Sequence, residues 1–193
     1  MPKPAAGRLI KGTIQSIATH GLVGITVTNI VAKTGLTRAM IMKTFGNEDA
    51  LLRAMAERFG EDYFETFDAL TRYAGPDPRD MVRAMIRADL NEEMLTAQTI
   101  AVLSVLCSLA QNDPKIRELS STRDRRLRDL YTAAIAKSLG GQDTDPALVQ
   151  DLATAIIAML EGFWADYFLF MDRFNRGKAE QLVLMLLEPY WRK

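Results

Sequence analysis

"GITVTNIVAKTGLTRAMIMKTFGNEDALL", residues 24–52, carries its own punctuation. Thr26 stands ahead of Val27, Ile30 and Val31, three apolar residues spaced for one face of a short helix, and its hydroxyl suits the N-cap. Asn29 follows three positions on, where a Glu or Gln would complete a capping box. Gly35 then ends the helix, Leu36 plugs the turn, and Thr37 caps a further helix reaching about Phe45. Ile41 and Phe45 lie one turn apart and face inward, which leaves Arg38, Ala39, Met42 and Lys43 on the outward face. After Gly46, Asn47 caps a long fourth helix in which Leu51, Leu52, Met55, Phe59, Tyr63, Phe67 and Leu70 recur every three or four residues.

Upstream, about Arg8 to His20, the stripe Leu9, Ile10, Ile14, Ile17 and Ala18 predicts a first helix. Downstream, glycine and proline fall between periodic segments, at "AGPDP" (74–78), Pro114, "GGQDTDP" (140–146) and Gly177. The helices expected there cover about 78–91, 93–111, 114–139, 146–170 and 176–190. Pro114 and Pro146 suit a helix's first turn, each behind an Asp that can cap. No strand pattern emerges, so the fold expected is all-α, with about nine helices.

A chain of 193 residues, 48% hydrophobic and 25% charged, has the composition of a globular protein with a sizeable core. One Cys (Cys107, in the apolar run "IAVLSVLCSLA" and so expected to be a buried inert thiol) and one His (His20) cannot assemble a zinc site. No metal or cofactor is expected. No apolar h-region follows "MPKPAAGR", and the run 100–110 is far short of the ~20 residues a membrane span requires. A cytoplasmic location without membrane contact is the expectation. Lys+Arg and Asp+Glu balance at 24 each, but unevenly. Through Asn47 there are six basic residues and no acidic one, which leaves the remainder at net −6. A basic head on an acidic body suits a polyanionic partner for the head.

Helix, glycine turn and short helix have the arrangement of a helix-turn-helix, whose second helix enters the DNA major groove by its N-terminal residues; an ordinary helical corner with a solvated face is the competing reading. Arg38 has the fork geometry for guanine O6 and N7, Ala39 permits close approach, and Met42 can cover a thymine methyl. Thr28, Thr37 and Lys43 have the groups needed for phosphate. The order and spacing of Thr26, Ile30, Ala32, Gly35, Leu36, Thr37, Ile41, Phe45, Gly46 and Leu51 resemble the DNA-binding segment of the TetR family of transcriptional regulators. Two departures stand out. Met42, Lys43 and Thr44 occupy positions where many members have aromatic residues and a His, and Glu48 replaces a common phosphate-contacting Lys.

The resemblance implies a homodimer on a near-palindromic double-stranded operator, released by a small-molecule effector and acting as a repressor. It divides the chain into a head, residues 1–50, and an effector-binding and dimerising body, residues 51–193. "TAIIAMLEGFWADYFLF" and "AEQLVLMLLEPYW" hold more apolar positions than one inward stripe uses. A four-helix interface with Ile156, Leu160, Leu182, Met185 and Leu186 is therefore expected. "DLNEE" (89–93), "NDP" (112–114) and "EGFW" (161–164) resemble the BetI-like branch, whose members repress genes for making glycine betaine from choline. A quaternary ammonium requires an aromatic wall and a carboxylate. Tyr131, Phe163, Trp164, Tyr167 and Phe168 are the candidate wall, and Glu161 the candidate acid; packing of these aromatics in the core is the competing reading. No nucleophile, acid or phosphate loop stands at a catalytic spacing beside His20, so no enzymatic activity is expected. An α-helical dimeric interaction protein that has lost DNA binding, as Glu48 would suit, is the alternative.

Overall fold

A computed structural model describes residues 4–141 and 144–191. Lys3 of the basic head, and the Gln142–Asp143 part of the turn expected at 140–146, lie outside the described residues. Among those described, every regular element is helical. The order is α1 (Pro4–His20), a 3-10 turn (Gly21–Ile25), α2 (Val27–Thr34), α3 (Arg38–Phe45), α4 (Glu48–Thr71), α5 (Pro78–Asp89), α6 (Ala97–Leu109), α7 (Pro114–Ser138), α8 (Pro146–Leu169), α9 (Arg176–Leu184) and α10 (Glu188–Trp191).

The helix ends follow from side chains that satisfy otherwise orphaned backbone groups. Asp77, Asp145 and Asn175 cap α5, α8 and α9 by accepting from the amides of Arg79, Ala147 and Lys178. Asp113 Oδ1 does the same for α7, at 2.8 Å from Lys115 N. Two expected boundaries shift. The segment from Glu93 is not yet helical, because Asn91 closes a turn on itself: its carbonyl accepts from Met94 and Leu95, and its Oδ1 from Glu93. The helix expected over 176–190 breaks between Leu184 and Glu188. Pro189 has no N–H for the Met185 carbonyl and its ring clashes there, so a short α10 restarts instead.

The chain divides into two compact units, residues 1–62 with 97–122, and residues 63–96 with 123–193. This division differs from a cut at residue 50, because α6 and the start of α7 pack with the head. In the first unit Ile17 of α1, Leu52, Met55 and Phe59 of α4, Val102, Val105 and Leu106 of α6, and Ile116 of α7 form one apolar cluster. A second cluster, Leu9, Ile30, Leu36, Ile41 and Leu51, holds α1 to α4 together. Gly24 is needed there, since a Cβ would stand 2.5 Å from the Ser16 carbonyl oxygen while Ser16 Oγ donates to the Gly24 carbonyl at 2.8 Å. Cys107, expected to be buried, is exposed: the inward stripe of α6 is Val102, Val105 and Leu106, and residue 107 falls on the opposite phase.

The second unit has a core of Phe67, Val82, Ile86, Leu95, Tyr131, Ile135, Ile156, Val183 and Leu187, all nearly inaccessible. Arg87 Nε reaches Glu180 at 2.7 Å, and the Trp191 indole donates to Ser138 Oγ at 3.1 Å. The 24-residue α8 is long and apolar enough, by length and composition, to cross a membrane, with a mean hydropathy of 1.4 over an 18-residue window. The count of consecutive apolar residues hid this, because Asp151, Glu161 and Asp166 interrupt the run.

Candidate nucleic-acid interface and effector site

Thr26 caps α2 through its hydroxyl, and Asn29, with no glutamate's reach, donates Nδ2 to the Val23 carbonyl at 2.9 Å. Gly35 turns the chain at φ 65°, in the left-handed region that a β-carbon disfavours, and its amide closes on Val31 at 2.9 Å. Thr37 Oγ1 then accepts from Met40 N at 3.3 Å and starts α3. Ile41 is fully buried and Phe45 half-buried against α1 and α2. With that side anchored, Arg38, Ala39, Met42 and Lys43 share the opposite side of the helix, and all four are exposed, as are Thr28 and Thr37. The Arg38 guanidinium is 3.0 Å from Glu48 Oε1, across the Gly46 turn. Arg8 donates to the Thr34 carbonyl at 3.3 Å, a cation at the C-terminal end of α2 where the helix dipole favours it.

In the second unit the sequence-based candidates separate into three groups. Tyr131 and Trp164 converge on a residue that sequence reading missed, Asp89. Its Oδ2 accepts from Tyr131 OH and its Oδ1 from Tyr63 OH, both at 2.6 Å, and its backbone carbonyl accepts from Trp164 Nε1 at 3.0 Å. The Tyr63 ring lies 6.4 Å from the Trp164 ring and stacks at 6.2 Å on Phe67. Phe163 and Tyr167 form a different cluster, each edge-on to Phe174. Glu161 and Phe168 lie on the exposed side of α8, so neither joins Tyr131. The acid placed among the aromatics is Asp89 rather than Glu161.

Asp89 is only 2% exposed, and among the described residues no Lys or Arg is paired with it. Burial pushes its carboxyl pKa up to about 6, against the two tyrosine hydrogen bonds that favour the anion. Both tyrosines are held well above their ordinary pKa by burial and by the Asp89 charge, so they stay protonated and donate. Nearby, Arg176 donates to the carbonyls of Leu90 and Leu95 and lies over the Tyr167 ring, 5.0 Å from its centroid. That pins the turn following Asp89. The missed signal was readable: Val82, Met85, Ile86 and Asp89 follow the i, i+3, i+4, i+7 stripe of α5, so a carboxylate occupies an inward phase.

The five residues expected at a dimer face also divide. Ile156 and Leu160 are 0% and 4% exposed within the single chain, so they belong to its own core and have no surface to give a partner. Leu182 and Leu186 are half-buried, and Met185 is exposed. The outward phase of α8 is instead Thr154, Ala158, Ala165 and Phe168. Periodicity finds both apolar faces of such a helix but does not say which one the chain itself covers.

Residues 78–191 match the family model described as BetI-type transcriptional repressor, C-terminal. The chain is 26% identical over 157 residues to the HTH-type transcriptional regulator BetI of Burkholderia cenocepacia (strain HI2424), covering 81% of this chain and 78% of that one. It is 25% identical over 176 residues to BetI of Stenotrophomonas maltophilia (strain R551-3), covering 91% and 87%. A protein from Saccharomonospora viridis, crystallised in complex with choline, has the same fold, with a TM-score of 0.81, 19% identity, and coverage of 95% of both chains. The family match spans more than half of the sequence, and the chain belongs to the BetI-type transcriptional repressors of the TetR family.

Proposed function

We propose that this regulator binds a near-palindromic operator as a homodimer and is released from it by a small organic cation. The observation that carries the DNA half is the exposed side of α3, with Arg38, Ala39, Met42 and Lys43 facing solvent while Ile41 and Phe45 anchor the helix. Arg38 reads guanine, Met42 and Ala39 set the shape of the contact, and Lys43, Thr28 and Thr37 hold phosphate. Residues 1–50 provide the head, and residues 51–193 the effector site and dimer contact. Two heads then meet half-sites roughly 34–36 Å apart. The second copy covers the outward side of α8, Thr154, Ala158, Ala165 and Phe168, together with Met185 beside Leu182 and Leu186.

The observation that carries the effector half is a buried carboxylate, bound by the hydroxyls of Tyr63 and Tyr131 and paired with no Lys or Arg among the described residues, beside the Trp164 indole that holds the Asp89 backbone carbonyl. An ion so placed is costly until a cation arrives, and aromatic faces suit a quaternary ammonium better than a strongly hydrated ion. The choline bound to the Saccharomonospora viridis protein makes choline the first ligand to test. By linkage, a ligand that weakens DNA binding is itself bound more weakly by the DNA complex. The protein acts on DNA in the cytoplasm and performs no catalysis. The test is anisotropy of a labelled duplex, enriched by the protein from a random library, titrated with choline. Release by choline and none by an equal concentration of sodium chloride supports the reading; equal effects of both remove the cationic effector.

A further inference from the structure

The pair between Arg38 and Glu48 stands at the centre of the proposed DNA-reading surface. Arg38 is the first residue of α3 and Glu48 the first of α4, and the Gly46 turn, at φ 84°, with the Asn47 cap brings the two helix starts within side-chain reach. The guanidinium Nη2 donates to Glu48 Oε1 at 3.0 Å, and both side chains remain in contact with solvent, 72% and 44% exposed. Asp49 carries the same charge in the same first turn of α4, yet the guanidinium goes to Glu48. A carboxylate beside phosphates opposes binding, so its place here calls for another role.

We infer that Glu48 is a specificity-determining residue that holds the Arg38 guanidinium in one orientation and neutralises it until guanine competes for it. A free guanidinium attracts any phosphate, because that attraction is Coulombic and indifferent to sequence. One paired with a carboxylate loses most of that attraction. It keeps unused N–H groups, and a guanine edge offers two acceptors in the fork geometry that a guanidinium fits. Glu48 thus suppresses random binding more than operator binding, acting through Arg38. This inference rests on the DNA-reading role proposed for α3.

The experiment uses full-length dimer and two labelled duplexes, one enriched by the wild-type protein from a random library and one of scrambled sequence. Glu48→Gln is compared with Asp49→Asn, which removes the same charge without touching Arg38, each in the wild-type and Arg38→Ala backgrounds. Thermal melting and mass of the dimer check that every variant is folded. Glu48→Gln is expected to tighten scrambled binding more than operator binding, lowering the ratio about two- to fivefold, the range of an exposed ion pair. It should also steepen the salt dependence on scrambled duplex by about 0.9 in log–log slope. In the Arg38→Ala background the ratio should no longer respond, and Asp49→Asn should shift both duplexes equally in either background. Equal shifts for Glu48→Gln and Asp49→Asn, a ratio change that survives Arg38→Ala, or no change at all would each overturn the inference. If the wild-type protein enriches no sequence, the DNA-binding reading fails first and takes this inference with it.

Discussion

Replacing Asp89 with Asn tests the effector site at its least ordinary residue. Burial pushes the carboxyl up from the ordinary 3.8 to about 6 in the folded protein, so it holds its proton more tightly when folded. The folded state therefore binds more protons than the unfolded state between those values, and stability falls as pH rises through that range. That difference corresponds to about 3 kcal/mol in all, of which roughly 1 kcal/mol is lost between pH 5 and pH 8. Asn keeps the volume, can accept from one tyrosine hydroxyl and donate to the other, and carries no charge to bury. Urea unfolding at fixed protein concentration, from pH 5 to pH 8, should show Asp89→Asn gaining roughly 1 kcal/mol on wild type across that range. Choline should lose its effect on the variant, and its affinity for wild type should rise about tenfold per pH unit below 6 and level off above. A stability difference that does not change with pH would mean that Asp89 is not buried as an ionisable group, and would remove the basis for the cation site.

Other perturbations address the head and the dimer. Arg38→Ala should lower the ratio of operator to scrambled binding, whereas Lys43→Ala should weaken both alike and reduce the salt slope by about 0.9; equal losses for Arg38→Ala on both duplexes would take it out of the base-reading set. Gly24→Ala drives a Cβ into the Ser16 carbonyl, 2.5 Å away, and should cost about 1–3 kcal/mol in thermal or urea unfolding. Ile41→Ala should cost about 2–5 kcal/mol and free the reading helix, seen as lost operator binding in a protein whose second unit keeps its Trp164 and Trp191 fluorescence. Ala158→Arg, on the exposed side of α8, should give a monomer by sedimentation with helix content unchanged; an intact dimer would place the partner elsewhere.

The head was legible because its decisive residues act locally. Thr26 and Thr37 cap and Gly35 and Gly46 reverse the chain, each through contacts within a few residues of sequence, and Ile41 shows the inward side by its spacing from Phe45. The body was legible in its helices but not in its site. Asp89 meets Tyr63 and Tyr131 across sequence separations of 26 and 42, and no periodicity reports which residues of different helices converge. Glu161 looked the better acid because its neighbours in sequence are aromatic, yet its phase on α8 faces outward. Ile156 and Leu160 were mistaken for interface for the converse reason, since a helix apolar on two sides does not show which one is already covered. The packing of α6 with the head, likewise, has no local signal.

Binding of the purified protein to labelled fragments from both sides of its own gene, at 50 mM and 200 mM salt with a scrambled duplex as competitor, is the most direct test of the whole account. The account predicts a fragment held at least about 10³ times more tightly than the scrambled duplex, with affinity falling steeply between the two salt concentrations. Equal binding of every duplex, or none at the lower salt by a protein with its helices intact, would contradict it.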